Sequence, residues 1–215
     1  MSIVAPDLLA LQRLYHWEKT APTRIAMTQP MSGGVVQDFT WAQVGDQVRR
    51  MAAHLQSQGW EPGSKVAILS KNCAWWMMTD LAIWMAGYVS VPLYPTLAAE
   101  TVRQILTHSD SRACFVGKLD GWESMKPGVP AGLPCISYPP SPPDVIRSHE
   151  GWDAICQRSQ PCSTSMRSTT CASGRYESMR SSPVMGMRLR PASSAQAKLP
   201  KVCITPLGMP VVPEV

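Results

Sequence analysis

The sequence is poor in charged residues and carries no residue spacing typical of a metal site. Charged side chains make up 16% of the 215 residues, below the roughly one quarter that is usual for soluble domains. Seven cysteines and four histidines are present, but no C-x-x-C pair occurs and no histidine has metal-ligand spacing to a cysteine. A zinc site is therefore not indicated, and the odd number of cysteines argues against a disulfide framework.

An uninterrupted apolar core of the secretory type is also missing from the N-terminal stretch, which contains Asp7 and Glu18. We therefore expect a cytoplasmic protein with reduced thiols. An apolar stretch at residues 73–93 approaches the ~20 residues of a membrane-spanning helix. Asp80 lies near its middle, and a glycine and a proline interrupt it, so we predict a buried helix followed by a buried strand.

The positive charge is concentrated in the C-terminal part of the chain. Residues 1–155 contain 12 basic and 13 acidic side chains, whereas residues 156–215 contain 8 and 2. Beyond residue 156 no tryptophan and no helical or strand period occurs, and such a segment buries too little apolar surface to offset its ordering entropy. We therefore expect a body at residues 1–155 and a low-order, basic, Ser/Arg/Pro-rich tail at residues 156–215.

Short apolar runs in the body are typical of buried strands. Because they alternate with helical patterns, they indicate βαβ units and a parallel sheet, and the fold class is α/β. Ligands of open α/β sheets bind beyond the carboxyl ends of the strands, so the loops after Ser70, Leu93 and Val116 are expected to face any site. The predicted strands lie at residues 65–70, 88–93, 113–116 and 134–137.

The helices between these strands show start and stop signals. Thr40 is a candidate N-cap for a helix with apolar residues at helical spacing, and Gly59 is its candidate C-cap. Asn72 and Thr96 are the predicted caps of the next two helices. A further helical stretch is expected at residues 144–156, after a proline-rich segment.

Four short motifs follow one another in an order that resembles a known enzyme family. They read FTWAQVGDQVRRMAAHL, GWEPGSKVAILSKNCAWW, DLAIWMAGYVSVPLYPT and VRQILTHSDSRACFVGK. This order is similar to the N-terminal portion of long-chain fatty acid–CoA ligases of the adenylate-forming superfamily, over residues 17–138. Ala74 departs from the pattern, since the family usually has a carboxylate near this position. The matching residues are Trp41, Gly59, Pro62, Gly63, Val66, Asn72, Trp76, Asp80, Gly87, Val91, Pro92, Tyr94, Pro95, Thr96, Ile105 and Leu106.

The resemblance implies a fragment of an enzyme that activates a fatty acid with ATP to an acyl-adenylate and transfers the acyl group to coenzyme A. It implies ATP, Mg²⁺ and CoA as cofactors of the full-length enzyme, and it leaves peripheral membrane contact and the oligomeric state open. In the family the phosphate loop, Y-T-S-G-T-T-G-x-P-K-G, and the adenylate-contacting lysine lie downstream of the matched segment, and the loop is absent from this sequence. We therefore assign no catalytic residue and no metal ligand, and the cofactor-binding residues stay unidentified. The isolated chain is expected to hold no cofactor, to be inactive and to be poorly stable.

Several residues of the body could line a site, but each has a structural explanation that we favour. Residues 94–96 fit a strand-to-helix turn, and residues 71–72 fit a helix cap with a solvated lysine. The cluster at residues 75–78 is typical of a core helix, and His108 suits the end of a helix dipole. Two other classes of function stay open: a non-catalytic α/β binding module and, less favoured because the tail arginines are not interleaved with aromatics, a nucleic-acid binder. We expect no nucleic-acid partner.

Translation out of frame is our hypothesis for the tail, and the gene sequence tests it. The codons for residues 195–205, read two bases later, permit T-G-K-x-P-K-G-V-x-H. The family's phosphate loop ends in T-G-x-P-K-G-V, so the shifted string has one extra residue, and recovery of the upstream T-S-G would need a second indel. Sequencing of the gene from codon 150 onward should show a ligase-like continuation in that frame. Stop codons there, or no such continuation, would make the hypothesis wrong.

Overall fold

Strands and helices alternate along residues 9–161, the part of the chain that the computed structural model describes. The strands are β1 (Ile25–Pro30), β2 (Val36–Thr40), β3 (Lys65–Leu69), β4 (Val89–Leu93), β5 (Ser111–Val116), β6 (Cys135–Ser137) and β7 (Glu150–Gly151). The helices are α1 (Ala10–Thr20), α2 (Trp41–Ser57), α3 (Ala74–Met85), α4 (Ala99–His108), α5 (Trp122–Met125), α6 (Pro143–Ser148) and α7 (Trp152–Arg158). The four predicted strands correspond to β3, β4, β5 and β6 and are confirmed.

A five-stranded sheet with the order β4-β3-β5-β6-β7 lies at the centre of the fold, and all its neighbouring strands are parallel. The predicted α/β class with a parallel sheet is therefore confirmed. Val66 and Ile68 of β3 join a core with helices α1, α2, α3 and α7, whereas Ala67 and Leu69 join a second core with α4, α5 and α6. Because successive side chains of a strand point to opposite faces, a strand covered on both faces reads as a continuous apolar run.

An antiparallel hairpin of β1 and β2 stands apart from the parallel sheet. Its two strands meet through a turn at Ser32–Gly34, in which Gly33 has a φ of 74°. The burial along both strands is sparse, since β1 buries only Gln29 and β2 buries only Phe39. The sequence analysis predicted neither this hairpin nor α1.

The predicted N-cap of α2 is confirmed, whereas its C-cap is Gln58 and the predicted C-cap, Gly59, is the next residue. The backbone N–H of Gln43 donates to Thr40 Oγ1 at 3.3 Å, and the backbone N–H of Thr40 donates to Gln43 Oε1 at 2.8 Å. These reciprocal bonds form a capping box, which satisfies two N–H groups that the helix itself cannot pair. Gly59 follows the end of the helix with a φ of 68°, a conformation in which glycine carries no steric cost.

The predicted caps of α3 and α4 were wrong. Asn72 does not cap α3, because the helix begins at Ala74 and the N–H of Ala74 donates to the side chain of Gln29 in β1, at 2.9 Å. A distant residue therefore supplies the acceptor that the prediction assigned to a neighbour in sequence. Thr96 does not cap the following helix, which begins three residues later at Ala99 and has no side-chain cap.

The single helical stretch predicted at residues 144–156 was also wrong, because the structure contains two short helices there. Strand β7 lies between α6 and α7 and pairs with β6 at Ile136↔Glu150 and Ser137↔Gly151. Pairing with the sheet favours an extended backbone at these two positions over a continuous helix. Helix α7 packs on α2, and Arg50 Nη1 of α2 donates to the carbonyl of Ser159 at 2.9 Å. Almost all of the predicted tail lies outside the described residues.

Strand β4 is an edge of the sheet and has few free donors. The N–H of Val89 donates to Ser64 O on the β3 side at 2.9 Å, so the alternating positions 90 and 92 point away from the sheet. Position 92 is a proline, which has no N–H to offer to another strand. Asp80 of α3 is hydrogen-bonded to Ser90, and burial raises the pKa of this carboxyl group. The edge is therefore partly protected against pairing with a further strand.

Candidate functional site

The candidate site lies where β3 and β5 separate at the carboxyl edge of the sheet. From β3 the chain continues through α3 on one face to β4, and from β5 it continues through α5 on the other face to β6. Two adjacent parallel strands whose connections leave in opposite directions create a crevice at their carboxyl ends, where open α/β sheets bind ligands. The loops after Ser70, Leu93 and Val116 all follow the carboxyl ends of parallel strands, and that they face a ligand site stays a prediction.

Ser70 joins the two loops that follow β3 and β5. Its hydroxyl accepts a hydrogen bond from the N–H of Lys118 at 3.0 Å and donates to the carbonyl of Lys71 at 2.6 Å. The N–H of Lys71 donates in turn to the carbonyl of Lys118 at 2.9 Å. The two loops are therefore held together by a small network centred on a buried serine.

The turn after β6 also lies at this edge and is hydrogen-bonded to the end of β5. Ser141 Oγ accepts from the N–H of Tyr138 at 2.9 Å and donates to the carbonyl of Val116 at 2.8 Å. The phenol of Tyr138 donates to Thr79 Oγ1 at 2.6 Å in the core. Burial raises the pKa of Tyr138 well above its usual value, so this group stays a neutral hydrogen-bond donor.

Gly117 lies between these networks, in a space too small for a side chain. A Cβ at this position would overlap the side chains of both Ser70 and Tyr138. The backbone that follows β5 can therefore pass this close to Ser70 and Tyr138 only because residue 117 is a glycine.

Two lysines place positive charge at the edge. Lys71 forms an ion pair with Asp120, which is partly exposed and contributes little to stability. Lys118 is exposed, and its side chain has no ion-pair partner within residues 9–161. Cys73 lies close by at the start of α3, and burial raises the pKa of its thiol although hydrogen bonds and the Lys118 charge act in the opposite direction. Cys73 is consequently a neutral thiol and not an activated nucleophile.

A groove of about 970 Å³ separates the β1–β2 hairpin from the turn after β6. Its hairpin wall includes Val35 and Val36, which are 61% and 57% exposed. Lys118 is the one cationic residue in a lining that is otherwise apolar or polar, apart from Asp38. The lining residues are Pro30, Met31, Ser32, Val35, Val36, Gln37, Asp38, Lys118, Pro139, Pro140, Ser141 and Pro143.

At the carboxyl ends of β3 and β5, three backbone N–H groups are not free to bind a triphosphate. A triphosphate needs free backbone N–H donors, but the N–H groups of Lys71, Gly117 and Lys118 are already bonded to Lys118 O, Leu69 O and Ser70 Oγ. No group of three or more His, Cys, Asp or Glu side chains suited to a metal occurs within residues 9–161. Among the described residues, the groove lining offers one cation, Lys118, and one carboxylate, Asp38, between polar and apolar side chains.

Only some of the residues that the sequence suggested as candidates lie at this site. Lys71 lies at the site, whereas His108 is exposed at the end of α4 and Tyr94 is 77% exposed after β4. Trp75 and Met78 lie in the core as predicted, but Met77 of the same cluster is 52% exposed. Sequence reasoning missed Lys118 and the hairpin wall. The Ser-Gly-Gly turn between two runs of strand-forming residues was the signal that could have revealed the hairpin.

Comparison with known proteins gives the family. The family described as AMP-binding enzyme matches residues 14–169, and the chain belongs to it. A long-chain-fatty-acid–CoA ligase of Mycobacterium bovis is 37% identical over 117 residues, which cover 50% of this chain and 19% of that protein. The chain therefore spans about one fifth of the length of this relative.

Solved structures of CoA ligases share the fold. A benzoate CoA ligase from Burkholderia xenovorans aligns with a TM-score of 0.57 at 19% identity, over 73% of this chain and 29% of that one. An acetoacetyl-CoA synthetase from Streptomyces lividans aligns with a TM-score of 0.59 at 19% identity, over 71% and 25%. The fold is thus that of part of an adenylate-forming CoA ligase, as the motif order implied. Within residues 9–161, no helix is both long enough and apolar enough to cross a bilayer.

Replacement of Gly117 by alanine should destabilise the chain because the new methyl group would overlap Ser70 and Tyr138. We expect a loss of about 1–3 kcal/mol in the free energy of unfolding, the usual cost of overpacking. Denaturant unfolding of the purified variant measures it. Gly151→Ala is the matched control, since its Cβ would meet nothing closer than Ser137 Oγ at 3.8 Å. Equal stability losses in both variants would contradict the role of Gly117.

Proposed function

We propose that the chain is an N-terminal segment of an AMP-forming ligase that activates a fatty acid with ATP and transfers it to coenzyme A. The observation that carries this proposal is the 37% identity to a long-chain-fatty-acid–CoA ligase, together with the family match over residues 14–169. We assign residues 1–155 to part of the N-terminal domain of that ligase. Residues 156–215 are proposed to be a tail without a catalytic role.

In this proposal the segment forms part of the folded framework, and the residues that carry out catalysis lie in other parts of the full-length protein. Carboxylate activation requires donors that neutralise the charge developing on a triphosphate, and the N–H groups of Lys71, Gly117 and Lys118 at the carboxyl edge are already bonded within the chain. We therefore propose that ATP and Mg²⁺ bind outside residues 9–161 in the full-length enzyme, and that CoA does so as well. For that enzyme we propose a cytoplasmic location with peripheral membrane contact through its fatty acid substrate.

The purified 215-residue chain should show no ligase activity. Since the phosphate loop is absent from its sequence, release of pyrophosphate from ATP in the presence of a fatty acid and CoA should stay at background. A full-length long-chain ligase assayed in parallel serves as the positive control. Acyl-dependent pyrophosphate release by the isolated chain would show that the inactivity proposal is wrong.

A non-catalytic binding module is the second candidate, and the groove with Lys118 is the observation that favours it. An unpaired cation beside apolar walls suits a ligand with a carboxylate and an apolar chain. In that case a medium-chain fatty acid, kept below its micellar concentration, should bind the chain saturably.

Titration calorimetry with two lysine variants separates this candidate from the ligase fragment. The fragment proposal expects no saturable binding of the fatty acid to the isolated chain. The module predicts binding that weakens at least tenfold in Lys118→Gln and is unchanged in Lys65→Gln. Lys65 is the matched control because it begins β3, at the opposite edge of the sheet. Equal weakening in both variants would count against a groove site.

A further inference from the structure

Two cysteines face each other on neighbouring strands of the parallel sheet. Cys114 of β5 is the register partner of Cys135 of β6. Both side chains pack into the core on the α4 and α5 face of the sheet. Cys73 and Cys156 belong to the core on the opposite face, so the sheet separates them from this pair. Cys114 and Cys135 are therefore the one register-paired set of thiols within residues 9–161.

The spacing of the pair suits a disulfide. Neighbouring strands lie about 4.7–4.9 Å apart, and cysteines joined by a disulfide have Cα atoms about 4.4–6.8 Å apart. Both thiols are free in this structure. Each also has a backbone carbonyl within reach, at 3.5 Å for Cys135 Sγ to Leu133 O and 3.7 Å for Cys114 Sγ to Phe115 O.

The two thiols differ in exposure and acidity. Cys114 is fully buried, whereas Cys135 is partly exposed. A hydrogen bond from the Cys114 thiol lowers the pKa of Cys135. The same hydrogen bond, together with burial, raises the pKa of Cys114 well above its usual value. Oxidant-sensitive cysteines combine solvent access and a lowered pKa with a second thiol beside them. Cys135 is partly exposed, has a lowered pKa and is the register partner of Cys114.

We propose that Cys135 and Cys114 form an oxidisable dithiol that reacts with hydroperoxides. The Cys135 thiolate attacks one oxygen of hydrogen peroxide, the O–O bond breaks, and the hydroxide that leaves takes up a proton to become water. The product is a sulfenic acid on Cys135. The sulfur of Cys114 then attacks the sulfur of Cys135, and a second water leaves with the Cys114 proton. Two thiols thereby lose two electrons to the peroxide and end as one cross-strand disulfide.

The disulfide would tie β5 to β6 beside the carboxyl edge of the sheet. The loop it closes contains Gly117 and Lys118 together with helix α5, so oxidation would restrain the groove described above. The reaction uses only residues of this chain and does not depend on the ligase assignment.

Peptide mapping of the full chain tests the proposal. The reduced protein is treated with hydrogen peroxide, its remaining thiols are alkylated, and it is digested with trypsin without reductant. Residues 113–118 (ACFVGK) carry Cys114, and residues 119–147 carry Cys135 because Lys126 precedes a proline and resists cleavage. We expect these two peptides to appear joined, with a mass two hydrogens below their sum, and to separate on addition of dithiothreitol.

Alanine variants test which cysteine reacts with peroxide and which one then forms the disulfide with it. Cys114→Ala should stop at the sulfenic acid, which dimedone captures on Cys135. Cys135→Ala should leave Cys114 unmodified at the same peroxide dose. Cys73→Ala is the control on the other face of the sheet and should form the joined peptide as the parent chain does. Thermal melts confirm that each variant is folded before it is scored.

Three results would overturn the proposal. The first is oxidation of Cys135 without the joined peptide in the parent chain. The second is Cys135 joined to one of the cysteines at 162, 171 and 203 in place of Cys114. The third is oxidation of Cys114 in Cys135→Ala at the rate seen in the parent chain, since a buried thiol without its partner should be inert.

Discussion

The close approach of three chain segments at Gly117 is the constraint on which the carboxyl edge of the sheet depends. The backbone of residue 117 runs between Ser70 and Tyr138 with no room for a side chain. This approach lets the Ser70 hydroxyl reach the N–H of Lys118, and it places Val116 O next to Ser141 Oγ. Because an unpaired buried polar group costs about as much as a lost hydrogen bond, the serines stabilise this edge only while the strands stay this close.

The β1–β2 hairpin supports the fold from outside the parallel sheet. Gln29 supplies the acceptor for the first N–H of α3, and Phe39 packs edge-on against Trp75 with ring centroids 5.5 Å apart. The hairpin thus fixes where α3 begins and forms one wall of the groove. Val35 and Val36 are exposed and form the apolar part of the hairpin surface.

The sequence predicted the parallel sheet well because each central strand is buried on both faces and reads as an apolar run, as in KVAIL of β3. Helix capping was predicted correctly where the capping residue and its hydrogen-bond partner are close in sequence, as at Thr40 and Gln43. It failed at α3, where Gln29 lies 45 residues away from Ala74 and no local pattern contains that contact. Lys118 was missed for a related reason, since only the fold shows that it faces the hairpin across a groove.

The hydrogen bonds at the carboxyl edge also affect whether a ligand can bind there. In many open α/β sheets the crevice between diverging strands holds the ligand itself. Here the Ser70 and Ser141 hydroxyls donate to backbone carbonyls. The N–H groups of Lys71, Gly117 and Lys118 are bonded as well, so an anion could bind these groups only after those bonds break. These hydrogen bonds hold the loops after β3, β5 and β6 in fixed positions. Within residues 9–161, the Lys118 ammonium group takes no part in this network and has no ion-pair partner, so it is free to meet the carboxylate of a ligand.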